Sequence, residues 1–269
     1  MADRALLIAL IVGFVVLVGT AGFSVWGFLH PRLVRPRALR WKGAARHVRG
    51  VLLDVDGTLV DSNEAHARAW VDALEEHGRR VSLRRVRQLI GTGGDKLLPE
   101  VAGVSADSAE GREIDGRRQA IFAQRYLPFV RPCAGARALL ERLRRERLTV
   151  VVASSADRRQ LTPLLQRAGV ADLVEDLASS DDAARSEPDP DILAAALDRA
   201  HLTPAEVVMI GDTPYDVESA RRSGMPIIAL RCGGWGDREL AGATAIYNDP
   251  AALLEAYGRS PLAADSLAA

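Results

Sequence analysis

Val48-Arg49-Gly50-Val51-Leu52-Leu53-Asp54-Val55-Asp56-Gly57-Thr58-Leu59-Val60-Asp61-Ser62 is the stretch that decides how this chain folds. A strand-favouring apolar run, residues 48–55, meets two carboxylates, and Gly57 releases the chain immediately afterwards. Asp54 and Asp56 both face one cleft if the strand has begun to turn there. Further short apolar runs occupy residues 149–153, 174–178, 207–210 and 226–230, and their composition suits a sheet buried on both faces. Helical patterns fill the gaps: 157–168 closed by Gly169, 191–201 ahead of Thr203-Pro204, and 215–223 closed by Gly224. This alternation predicts an α/β fold, a doubly wound parallel-sheet (Rossmann-like) core.

Ligands of such sheets bind at the carboxyl ends of the strands, so the residues that end each run carry the chemistry. The second run ends in Ser154-Ser155 and the fourth in Gly211-Asp212-Thr213-Pro214-Tyr215-Asp216. With Asp54 and Asp56, that makes four carboxylates converging on one place. Like charges so close repel by several kcal/mol, roughly, at intermediate dielectric, and a divalent cation is the expected remedy. Oxygen-only ligands favour magnesium. A lone Asp at such a position reads as a helix cap; the whole set, spread over alternating units, reads as a site. Between the first two strands, residues 62–130 read as helices (63–77, 82–90, 96–102 and 108–126) with no strand, an inserted all-helical cap domain.

From residue 49 to residue 250 the chain resembles the haloacid dehalogenase-like superfamily, in its helical-cap branch of phosphoglycolate phosphatases and beta-phosphoglucomutases. The residues carrying the resemblance are Asp54 to Thr58 (Asp-x-Asp-Gly-Thr), Ser154, Glu187-Pro188-Asp189-Pro190-Asp191 and Gly211 to Asp216. The resemblance implies a magnesium-dependent phosphatase acting on a small phosphorylated metabolite. Asp54 is implied as the nucleophile that takes the phosphoryl group, and Asp56 as the general acid. Magnesium is implied on Asp54, the Asp56 carbonyl and Asp212, with Asp216 in support. Ser154, Ser155, Gly57 and Thr58 are implied to hold the phosphoryl oxygens. True dehalogenases of the superfamily lack a carboxylate at position 56, which disfavours that reaction here.

One position departs from the family pattern. The third motif brings a lysine that steadies the nucleophile, and this chain has Glu187 there; Arg185 and Lys96 are the cations available to replace it. The departure keeps in play a non-catalytic or weakly active membrane-tethered binding protein; a sugar phosphomutase is the third reading, and the missing lysine, on which the mutase relies, counts against it. Substrate contacts are expected from the cap: His66 and Trp70 at i, i+4 spacing on its first helix, and Lys96 in the loop Gly91-Thr92-Gly93-Gly94-Asp95-Lys96. A helix-face histidine and a plain connecting loop are the bland readings of the same residues.

The 269 residues carry 35 Lys+Arg and 35 Asp+Glu, so no global field draws the chain onto nucleic acid, and no nucleic-acid partner is expected. Cys133 and Cys232 stand far apart, without zinc spacing, which disfavours a disulfide scaffold or zinc ribbon. Residues 5–29 hold no charge and are long enough to span a bilayer, and residues 30–48 are rich in arginine. The expectation is a single-pass transmembrane anchor, a basic juxtamembrane linker and a cytoplasmic catalytic domain. The core is expected at 49–61 and 131–258, with a disordered tail at 259–269. The expected partners are the metabolite and membrane lipid, and the chain is expected as a monomer or weak dimer.

Overall fold

The computed structural model describes residues 48–183 and 185–263. The expected span at 5–29 and, apart from Val48, the basic linker lie outside these residues. Among the described residues, no helix is long and apolar enough to cross a membrane.

β1 (Gly50–Leu53) leads through a turn into the short β2 (Val60–Asp61). Helices α1 (Asn63–Glu76), α2 (Leu83–Leu89), α3 (Gly94–Ala102) and α4 (Ala109–Ile121) follow, and β3 (Arg131–Pro132) returns the chain. Next come α5 (Ala136–Arg145), β4 (Thr149–Ala153), α6 (Arg158–Ala168), β5 (Asp176–Ala178), α7 (Asp191–Ala200), β6 (Val207–Gly211) and α8 (Pro214–Arg222). β7 (Ile227–Leu230), β8 (Ala245–Tyr247) and α9 (Pro250–Glu255) complete the core.

Six strands form one sheet in the order β5-β4-β1-β6-β7-β8, with every pairing parallel. Successive β1 side chains alternate between its faces, as the pleat requires. Val51 and Leu53 join the cluster that holds Leu139, Leu140 and Leu143 of α5 and Leu161 and Leu164 of α6. Leu52 joins Ile192 and Leu193 of α7 and Val217 of α8. Leu53 pairs with both Val152 and Ile210, so the ends of β4, β1 and β6 emerge side by side. The chain builds outward from β1 through β4 to β5, then crosses to β6 on the other side. That reversal opens a crevice at the strand ends.

The cap leaves and re-enters the core at one place, because β2 and β3 pair antiparallel, Val60 with Pro132 and Asp61 with Arg131. Leu74, Val86, Leu97, Leu98 and Ile114, one or two from each cap helix, are fully buried.

The expected elements differ from the observed ones where tertiary packing decides. The first strand stops at Leu53 because the amides of Leu59 and Val60 both fold back onto the Val55 carbonyl. Residues 62–130 hold no strand, as expected, and the β2–β3 pair that closes the base of the cap lies just outside them. The last cap helix ends its α-helical part at Ile121 and continues as a π-helical turn, Phe122–Tyr126. The sheet has a sixth strand, β8, whose three half-buried residues sit at its edge and leave no run in the sequence. Of the tail expected at 259–269, residues 259–263 pack on the fold, with Ser260 buried and Leu262 only 3% exposed within the main core cluster, and residues 264–269 lie outside the described residues.

Candidate active site

Asp54 follows β1, and Asp212 and Asp216 follow β6. Each of the three offers a carboxylate oxygen within 4.8 Å of the others. Asp216 is positioned by the start of α8. Its Oδ2 accepts from the Thr213 amide (2.8 Å), the Thr213 hydroxyl (2.7 Å) and the Asp212 amide (3.2 Å), which forms a capping box. Its Oδ1 is buried without a partner. Asp212 is fixed by Asn63, whose amide nitrogen donates at 2.7 Å, and by the Thr58 hydroxyl at 3.3 Å. Asn63 Oδ1 is a second buried oxygen with no partner. Gly57 makes this packing possible: its φ is +82°, and a Cβ there would lie 2.3 Å from Asp212 Oδ2.

Electrostatics set this pole apart. Burial, then the charges of Asp216, Asp212, Glu187 and Asp56, push the Asp54 carboxyl well above the usual range. Burial and Asp216 do the same to Asp212. Burial raises Asp216 too, against the lowering pull of its hydrogen bonds. Three convergent carboxylates and orphaned acceptor oxygens fit a hard divalent cation such as magnesium.

Asp56 has a different environment. Its carboxylate is not in that group of three; it turns toward the cap, where it accepts from the Ser62 hydroxyl and lies 2.9 Å from His66 Nε2. Burial pushes its carboxyl up, but His66, Ser62 and Arg118 outweigh burial and hold it below the usual carboxylate range. His66 is itself held by stacking on Phe122, with ring centroids 3.9 Å apart.

A cavity of about 360 Å³ lies between core and cap, lined by Asp54, Asp56, Ser154, Ser155, Glu187 and Asp216 from the core and by His66, Trp70 and Arg118 from the cap. The Ser154 hydroxyl accepts from the Ala156 amide at 3.2 Å, which orders the loop after β4. Gly57 and Thr58, expected on the phosphate, are absent from the cavity wall and instead support Asp212. Both cysteine thiols reach the Gly57 carbonyl, Cys232 at 3.1 Å and Cys133 at 3.8 Å.

The haloacid dehalogenase-like hydrolase family matches residues 48–224. The chain belongs to that family. It is 31% identical to the N-acetylmuramic acid 6-phosphate phosphatase of Pseudomonas aeruginosa, over 69% of this chain and 83% of that one. It is 29% identical to the phosphoglycolate phosphatase of Rhodospirillum rubrum, over 82% of this chain and 95% of that one. Among solved structures, a hydrolase from Pseudomonas syringae superposes with a TM-score of 0.73 at 27% identity, covering 78% of this chain and 98% of that one. The beta-phosphoglucomutase of Clostridium difficile shares the fold, with a TM-score of 0.64 at 15% identity over 76% of this chain and 92% of its own.

Within this haloacid dehalogenase-like frame, Glu187 occupies the motif position of the lysine. It is 3% exposed, its Oε1 has no partner, and burial followed by Asp216 and Asp212 drives its carboxyl well up, with Lys96 pulling the other way. Lys96, expected on substrate, does not line the cavity. Its ammonium donates to the Ser186 carbonyl, to the Glu187 carbonyl at 3.0 Å and to Asp189 Oδ2 at 2.8 Å, so it clamps the motif loop from the cap side. The loop at residues 91–95 docks beside it: the Gly93 amide donates to Ser186 Oγ at 3.1 Å, and a Cβ on Gly93 would lie 2.5 Å from Ser186 Cβ. Tyr215 adds a hydroxyl bond to the Gln88 carbonyl at 2.7 Å. The cap is closed on the core.

Arg118 is one of the cavity residues that the sequence did not single out. It sits 5.0 Å over the Trp70 ring, donates to Asp115 at 2.6 Å and reaches across to Gln160 of α6 at 2.6 Å. The only signal for it was an arginine on the buried stripe of a helix, at i+4 from Ile114.

Proposed function

We propose that this chain is a magnesium-dependent phosphatase that hydrolyses a small phosphorylated metabolite by phosphoryl transfer to Asp54. The observation that carries the reading is the contrast between two carboxylates on one cavity, Asp54 against Asp212 and Asp216, and Asp56 against His66 and Ser62. Asp54, Asp212 and Asp216 would hold magnesium, which supplies neutralisation of charge on the phosphoryl oxygens. Asp54 Oδ attacks phosphorus as the ester oxygen leaves, giving an aspartyl-phosphate. A proton held between Asp56 and His66 Nε2, 2.9 Å apart, passes to that oxygen, and Asp56 later takes one from the attacking water, with His66 orienting it. Ser154 and the amides of its loop bind phosphoryl oxygens. The docked cap excludes bulk water during transfer.

Two of the relatives are named for N-acetylmuramic acid 6-phosphate and phosphoglycolate, and Arg118, Trp70 and Arg112 give the cap wall groups that suit an oxygen-rich organic portion. Residues 5–29 would tether the domain to a membrane with the active site on the cytoplasmic side, a reading supported by the arginines that follow the apolar run. The decisive experiment is magnesium-dependent hydrolysis of p-nitrophenyl phosphate by the purified full chain, followed by a panel of phosphorylated sugar acids, hydroxy acids and hexoses. Absence of turnover with every ester, at saturating magnesium, would establish a binding protein instead.

A further inference from the structure

Glu187 adds a fourth buried carboxylate to a pole that already holds three, and the nearby cations are committed elsewhere. Lys96 is bound by two backbone carbonyls and Asp189, Arg118 by Asp115 and Gln160, and Arg185 by Asp191 at 3.1 Å. None of these hydrogen-bonds the Glu187 carboxylate. Two oxygens at this end of the cavity, Glu187 Oε1 and Asp216 Oδ1, are buried and accept from no N–H or hydroxyl, and the two carboxyl groups lie within hydrogen-bonding reach of each other, so either a shared proton or a cation must bridge them. Their residues are 3% and 1% exposed, and both line the same cavity wall as Asp54. The other oxygen of Asp216 is saturated by Thr213 and Asp212, so its free oxygen cannot turn away to find a partner. Orphaned buried acceptors of this kind are costly unless a ligand satisfies them.

We propose that Glu187 Oε1 holds a second divalent cation beside the magnesium of Asp54 and Asp212, with Asp216 Oδ1, the one free oxygen of that residue, bridging the two ions. Once metal displaces their protons, four carboxylates bear four negative charges, and one divalent ion offsets two of them. A second ion restores neutrality before an anionic phosphate ester arrives. It also returns positive charge to the position where the motif has a lysine, so the substitution exchanges a fixed ammonium for an exchangeable ion. Hard oxygen donors from carboxylates select magnesium or manganese over softer metals.

The inference rests on the one-ion site of the proposed phosphatase, and its test separates the two. Manganese is the probe: equilibrium dialysis with metal analysis counts ions per full-length chain, and electron paramagnetic resonance detects the spin coupling of a close manganese pair. The wild type is expected to bind two ions with a coupled spectrum. Glu187→Gln and Glu187→Lys are each expected to bind one, with an isolated-ion spectrum and unchanged circular dichroism. A single ion in the wild type overturns the second site; if Asp212→Asn removes that ion, the one-ion reading survives. Two ions retained in Glu187→Gln place the second ion elsewhere and also overturn the proposal, as does loss of both ions in that variant. A wild type that binds none removes both readings.

Discussion

The two walls of the cavity answer the same problem, buried charge, in opposite ways. On the core wall, Asp54, Asp212, Asp216 and Glu187 crowd together, push one another's carboxyls up and leave acceptor oxygens unpaired. On the cap wall, Arg118 is as well buried, but its guanidinium is shared between Asp115, Gln160 and the face of Trp70. The core wall is strained until a cation arrives, whereas the cap wall around Arg118 is satisfied as it stands. A site built this way separates its tasks: the unsatisfied side does chemistry, and the satisfied side recognises and closes.

The largest effect should come from the core wall. Asp54→Asn removes the attacking oxygen and is expected to lower turnover by about a thousandfold or more, measured with p-nitrophenyl phosphate at saturating magnesium. Its thermal midpoint without metal should not fall, because the amide relieves repulsion with Asp212 and Asp216. Asp56→Asn is expected to cost about a hundredfold with poor leaving groups and much less with p-nitrophenolate, which departs without a proton. Equal losses for both esters would show that Asp56 does not carry the proton.

Metal linkage comes next. The raised carboxyls of Asp54, Asp212 and Glu187 favour the folded state while protonated. Their contribution is full below the ordinary carboxylate range and is lost as pH rises through the raised folded values. The metal-free protein should therefore lose stability as pH climbs above about 4, the range where unfolded carboxylates titrate. Magnesium requires the deprotonated form, so its stabilisation should grow over the same window, to roughly 3 kcal/mol at a hundred times its dissociation constant. Thermal melts with magnesium and with chelator at stepped pH test this, and a magnesium shift that shrinks with rising pH would contradict it.

How much the sequence revealed follows the same division. Asp54, Ser154, Asp212 and Asp216 were legible because a parallel sheet delivers whatever ends its strands to one crevice, and Leu53 pairing with both Val152 and Ile210 does that here. His66 and Trp70 were legible as neighbours on one helix face. Arg118 was not, since whether an arginine on a helix faces water or a cavity depends on which helix packs against it. Lys96 was misplaced for a similar reason: a cation in a glycine-rich loop looks like a phosphate ligand until the loop is seen docked on Ser186 and Glu187. β8 was missed because three half-buried edge residues have no periodicity to read.

On the cap wall, Arg118→Ala should raise KM about tenfold for a substrate large enough to reach the wall, since charge-assisted hydrogen bonds are worth about 1.5–3 kcal/mol. The turnover of p-nitrophenyl phosphate should change far less. A loss that falls on kcat alike for large and small esters would move Arg118 from recognition to chemistry.

Lys96→Met should have the smallest effect, and it tests the boundary between the two walls. The ammonium holds Ser186 and Glu187 by their carbonyls and Asp189 by its carboxylate, and it is 32% exposed. Asp189 keeps Arg222 at 3.3 Å when Lys96 is lost, and the Gly93 to Ser186 bond still docks the cap. A part-exposed pair with that much redundancy contributes little to stability. Cap closure should become somewhat less favourable, raising KM by about two- to fivefold with kcat nearly unchanged, in line with a clamp that acts on the loop and not on phosphorus. If Lys96 instead supplies the charge that the motif lysine would have brought, its loss must appear in kcat. A drop of tenfold or more in kcat at constant KM would therefore assign the cation to the cap and remove the need for an ion at Glu187.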